Sequence, residues 1–104
     1  MCMSEVNAVT DKIDDDIELL IRHIEMLKVI RENQPVGIIK LSELTEIPRH
    51  KIRYSLKLLE KDNVIAPSPE GAVTTELYDE YMWEMSAYLE KLIKSITRVK
   101  NGIA

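Results

Sequence analysis

Tyr78, Met82, Met85, Leu89, Leu92, Ile96, Val99 and Ile103 follow one another at spacings of four and three without a break. Because an α-helix turns once in 3.6 residues, that rhythm sets all of them on one stripe of one helix. A helix over residues 77–104 is about 42 Å long. A compact unit made from the preceding 70 or so residues is only about 25 Å across. The apolar stripe therefore overhangs any core that the rest of the chain can build, and it needs a second surface to cover it. The pattern predicts a homodimer joined through Tyr78, Met82, Met85, Leu89, Leu92, Ile96 and Val99. The same helix is acidic early (Glu76, Asp79, Glu80, Glu84) and basic late (Lys91, Lys94, Arg98, Lys100). Antiparallel pairing sets these halves against each other, but exposed pairs contribute only about 0–1 kcal/mol each, so parallel pairing stays open. Met82, Trp83 and Met85 are read as packing residues rather than a ligand pocket.

Upstream, Ile13, Ile17, Leu20, Ile24, Leu27 and either Ile30 or Arg31 mark an amphipathic helix over about 12–32, with Ile21 and Val29 widening the stripe. Thr10 or Asp11 is placed to cap it, Asp14, Asp15 and Asp16 favour the positive end of its dipole, and Asn33-Gln34-Pro35 stops it. Val36 to Lys40 reads as a brief strand or an extended link. Ser42 then serves as N-cap of a helix of barely two turns, Glu43–Ile47, and Pro48 fits the turn that ends it or the start of the next helix. The third helix runs from Arg49 to Asp62 on Ile52, Leu56 and Leu59, and Asn63 is suited to the left-handed residue that closes it. Val64-Ile65-Ala66 and Ala72-Val73-Thr74 flank the turn signal Pro67-Ser68-Pro69-Glu70-Gly71, which predicts a hairpin. Thr74 or Thr75 caps the long final helix.

Charge is distributed unevenly over these elements. Residues 49–61 carry Arg49, Lys51, Arg53, Lys57 and Lys61 against Glu60, a sum of +4, and the net charge of the whole is −4, so the remainder sums to −8. An acidic body with one basic patch points to a directed contact with a polyanion. If Ile52, Ser55, Leu56 and Leu59 face inward, the outward set is Arg49, His50, Lys51, Arg53, Tyr54 and Lys57. Arginine reads guanine through a bidentate contact, and lysine and tyrosine reach bases or phosphates.

The order helix, short strand, short helix, tight turn, longer helix, hairpin, helix is that of a winged helix-turn-helix, in which the second helix braces the third and the hairpin closes the core. The run Leu41-Ser42-Glu43-Leu44-Thr45-Glu46-Ile47-Pro48-Arg49 through Leu58-Leu59-Glu60-Lys61-Asp62-Asn63-Val64-Ile65 resembles winged-helix transcriptional regulators. Pro35 to Glu76 as a whole is similar to a group of small archaeal predicted regulators. The resemblance implies a mainly α fold with a small β-hairpin and a long C-terminal dimerisation helix. It also implies sequence-specific binding of double-stranded DNA as a homodimer, with Arg49, His50, Lys51, Arg53, Tyr54 and Lys57 on the DNA face. Where many such regulators carry Arg or Lys at the tip of the wing, this chain has Ser68-Pro69-Glu70-Gly71. That departure favours the alternative that the same module docks on an acidic protein as a subunit of a larger complex.

The expected organisation is a flexible N-terminus at 1–9, a DNA-binding domain at 10–76 and a dimerisation helix at 77–104. Hydrophobic residues are 45% of the chain and aromatics 5%, with no Phe, so the core is built from aliphatic side chains and Met. No apolar run reaches the ~18 residues a membrane span requires. Cys2 is the only cysteine, and it can form neither an internal disulfide nor, with two scattered histidines, a metal cage. The expected location is the cytoplasm. With only Gly37, Gly71 and Gly102, the chain has no glycine-rich phosphate loop. Asp14, Asp15 and Asp16 diverge by about 100° each around a helix and do not converge on an ion. No enzymatic activity, cofactor, metal or small-molecule ligand is expected.

Overall fold

A computed structural model describes residues 7–103, in the order α1 (Ala8–Asn33), α2 (Ile38–Thr45), α3 (Arg49–Lys61), β1 (Ile65–Ser68), β2 (Gly71–Thr74) and α4 (Tyr78–Ile103). The fold is mainly helical, with a small two-stranded antiparallel hairpin and a long C-terminal helix. Cys2 and most of the expected flexible N-terminus lie outside the described residues. Of the same segment, Ala8 and Val9 are helical and Asn7 caps α1, its Oδ1 accepting from the amides of Val9 and Thr10. An Asn side chain satisfies these first amides well, so the helix starts ahead of Thr10 and Asp11. Asp11 then occupies the first turn, and Asp14 to Asp16 lie beyond it.

The second helix also begins earlier than its composition suggests. Val36 makes a single antiparallel bridge to Ala72, but Ile38 to Lys40 are helical rather than extended. Ile38 and Leu41 pack into the core, and that tertiary gain outweighs the β preference of two isoleucines. Ser42 is accordingly inside α2 and not its N-cap: its hydroxyl donates to the carbonyl of Ile47 at 2.5 Å. Glu46 ends α2 in the left-handed region (φ 61°), and Asn63 adopts the same conformation after α3.

The hairpin is tighter than expected. Its strands extend to Ser68 and from Gly71, so only Pro69 and Glu70 form the loop. Pro67 is tolerated in β1 because Ala72, opposite it, directs its N–H and C=O to Val36. The pair Pro67–Ala72 thus has no ladder bond for proline to break. Gly71 is required here: its φ is +137°, and a Cβ would lie 2.5 Å from the carbonyl carbon of Val36.

The core takes Met26, Leu27 and Ile30 from α1, Leu41 from α2, Ile52 and Leu59 from α3, and Val64, Ile65 and Ala72 from the hairpin region, with Val36 between. Only the C-terminal part of α1 is therefore covered. Ile13, Ile17 and Ile21, which the periodicity assigns to the same stripe, are exposed. Leu56, expected inward, is half-buried. The final helix contributes at its start alone, where Tyr78, Tyr81 and Met82 pack on the core. The guanidinium of Arg31 stacks 4.3 Å above the Tyr78 ring and pairs with Asp79 at 3.8 Å. Tyr78 and Met82, both expected at the dimer interface, are thus packed against the core of the same chain. Beyond them α4 projects from the body, and the molecule measures 53 × 31 × 20 Å. Its radius of gyration is 16.2 Å, against about 13 Å for a compact chain of this length.

Candidate nucleic-acid interface

The third helix is held from behind by α1. Ser55 is fully buried, and its hydroxyl accepts from Nε of Arg22 at 2.9 Å. A buried hydroxyl facing a cationic donor makes one of the stronger intramolecular hydrogen bonds. Together with Ile52 and Leu59 in the core, this bond sets the rotation of α3 about its own axis. On a wheel of 100° per residue, the direction opposite Ile52, Ser55 and Leu59 passes between His50 and Lys57. Arg53 and Tyr54 flank that direction, and all four are exposed. Lys61, one turn beyond Lys57, continues the row and is exposed as well. It was legible in the i, i+4 spacing.

Two of the six expected residues stand apart from this row. Arg49 faces α2, where it lines a groove of about 640 Å³ with Gly37, Ile38, Lys40, Glu43 and Arg53. Lys40 thereby joins Arg49 and Arg53 as a third cation around one cleft, although no motif marked it. Lys51 lies on the opposite flank, half-buried beside α1, with its Nζ 3.4 Å from Glu18 Oε1. Glu18 also stands 3.8 Å from Arg22. This partner reduces the charge that Lys51 offers to an outside ligand. The hairpin tip adds Glu70 and no cation. Glu60 lines the same shallow cleft as Ser68, Pro69 and Glu70, so the hairpin side of α3 is the acidic side.

At the rear of α3 sits a titratable group with a shifted pKa, His23 of α1. Its pKa is lowered, first by burial and then by the neighbouring Arg22 charge, with Asp62 acting in the opposite sense. Its Nε2 is buried without a hydrogen-bond partner among the described residues. Asp62 together with burial raises the Tyr81 hydroxyl pKa, burial being the larger cause. A proton on His23 thus adds charge where α1, α3 and α4 meet. Since the folded state resists this proton and the unfolded chain accepts it near pH 6.5, stability is greatest above that pH. It declines as pH falls through the unfolded value toward the lower folded one. The melting temperature should therefore drop between pH 7 and 5, and the slope should flatten in His23→Gln. An unchanged slope in that variant means another group is responsible.

Among the described residues no cluster of His, Cys, Asp or Glu is placed to hold a metal ion. No helix among them is long and apolar enough to cross a membrane. No protein-family model matches the chain, and no curated protein matches it.

Proposed function

We propose that this chain is a winged-helix regulator that binds duplex DNA as a homodimer, with α3 in the major groove. The observation that carries the reading is the exposed row His50, Arg53, Tyr54, Lys57 and Lys61, held outward by the buried Arg22–Ser55 bond. An α-helix fits the major groove, and side chains on its outer face reach base edges there. Arg53 is the best placed base reader, Arg49 reaches from the flank, and Lys57 and Lys61 meet phosphates. The remainder of the α4 stripe, with Met85, Leu89 and Leu92 half-buried and Ile96 and Val99 exposed, supports pairing of two subunits. Two copies of α3 then read a palindromic site with half-sites about one helical turn, or a multiple of it, apart. In this reading the chain works without catalysis or cofactor and acts in the cytoplasm.

Substitution tests it directly. Arg53→Ala and Arg49→Ala should each cost about 1–3 kcal/mol of discrimination between sequences. Lys57→Ala should weaken all duplexes alike, and Glu70→Lys should strengthen non-specific binding by removing a repulsive charge from the hairpin tip. Competition titrations with specific and scrambled duplexes separate these effects. Silent Arg49 and Arg53 variants together with an inert Glu70→Lys contradict the assigned face. They would favour the second reading, docking on a protein as a subunit of a larger complex, for which the hairpin tip needs no cation.

A further inference from the structure

Two of the apolar faces that the subunit leaves open, on α1 and α4, adjoin. On α1, Ile13, Ile17 and Ile21 are exposed, Ile21 by 59%. On α4, Ile96 and Val99 are 54% and 65% exposed. Between the two helices runs a groove of about 670 Å³, lined by Ile17, Leu20, Ile21, Ile24, Val29 and Leu89, with Glu25, Lys28 and Glu32 also lining it. The subunit's own α4 meets it at Leu89 alone. Such a volume falls in the range of small-molecule pockets, but six of the nine lining residues are aliphatic and the three charged ones all come from α1. It is suited to an apolar helix face.

We propose that this groove seats the C-terminal half of α4 from a second copy of the chain, reciprocally, so that α1 and α4 of both subunits form a four-helix assembly. This deepens the homodimer reading above and is independent of DNA binding. Charge selects the occupant. The α1 helix as a whole carries seven acidic against four basic residues, the groove wall itself holds Glu25 and Glu32 against Lys28, and α4 adds Asp79, Glu80 and Glu84 near its start. Beyond Glu90, α4 carries Lys91, Lys94, Arg98 and Lys100 and no acid. An incoming α4 antiparallel to the resident one therefore sets its basic half beside Glu25, Glu32 and the acidic start of the resident α4, and buries Ile96 and Val99. A two-fold axis satisfies both grooves at once and closes the assembly. Surface area agrees: the chain exposes 7688 Å². A folded monomer of 12.0 kDa exposes about 6,000 Å². The excess is larger than the ~800 Å² that one partner contributes to a standard interface.

Sedimentation equilibrium at micromolar concentration should give twice the chain mass of 12.0 kDa. Ile21→Asp should give the chain mass with an unchanged far-UV helical signal, because Ile21 is exposed within one subunit. A monomeric wild type, or an Ile21→Asp variant that remains dimeric, overturns the proposal. If Ile21→Asp fails to fold, cysteine pairing decides. In a Cys2→Ser background, Ile21→Cys mixed with Ile96→Cys should yield a disulfide-linked dimer that needs both variants. If Ile96→Cys links only to itself, α4 pairs with α4 alone and the groove proposal fails, while the DNA reading stands. A groove-bound dimer that ignores duplex DNA has the reverse meaning.

Discussion

Raising monovalent salt from 50 to 200 mM should weaken duplex binding about a thousandfold. A dimer presenting Arg49, Arg53, Lys57 and Lys61 twice has enough cations to engage about six phosphates, and each neutralised phosphate releases condensed counterions. The log–log slope is then near −5, and a fourfold rise in salt multiplies the loss to roughly three decades. The effect is large because so little else attracts DNA. The net charge of −4 and the acids at Glu60 and Glu70 beside the basic row oppose the approach of a polyanion. Weak salt dependence, with a slope near zero, would mean that the basic row meets something other than a nucleic-acid backbone.

The double variant Leu89→Asp with Leu92→Asp should be monomeric and should lose about 10²–10⁴-fold in affinity for a two-half-site duplex, the usual gain from linking two binding events. Both leucines are half-buried on the part of α4 that leaves the core. Two carboxylates there cannot be sealed in an apolar seam without a heavy desolvation cost. The body of the subunit does not depend on them, because Met26, Leu27, Ile30, Leu41, Ile52, Leu59, Val64 and Ile65 are buried without their help. Thermal melting should consequently still be cooperative. A variant that stays dimeric and keeps full affinity places the subunit contact elsewhere.

Much of the architecture was legible in residue spacing, and the misreadings share a physical cause. Periodicity shows that a helix has an apolar face, not which stretch of that face is covered. On α1 it marks Ile13 and Leu27 equally, yet only Leu27 is reached by α2, α3 and the hairpin. On α4 it marks Tyr78 and Val99 equally, although Tyr78 packs on Arg31 and the core. Met26 escaped the spacing rule and is fully buried. Ser42 has the chemistry of an N-cap, but its neighbours Ile38 and Leu41 gain more by packing as helix than as strand. Asn63 was legible because left-handed backbone at a helix end favours Asn. Glu46 was not, since no such preference marks glutamate. For the candidate interface, the wheel of α3 placed His50, Arg53, Tyr54 and Lys57 outward from sequence alone. That Lys51 faces Glu18 depends on how α1 crosses behind α3, which no local pattern encodes.

Sequencing the genomic fragments that co-purify with the protein decides whether α3 reads specific duplex DNA. Discrete enriched sites are expected, each with two inverted half-sites about 10 bp apart or a multiple of that, and the enrichment should be lost with Arg53→Ala. Fragments recovered in proportion to the input, with no enriched sites and no response to Arg53→Ala, would contradict that reading.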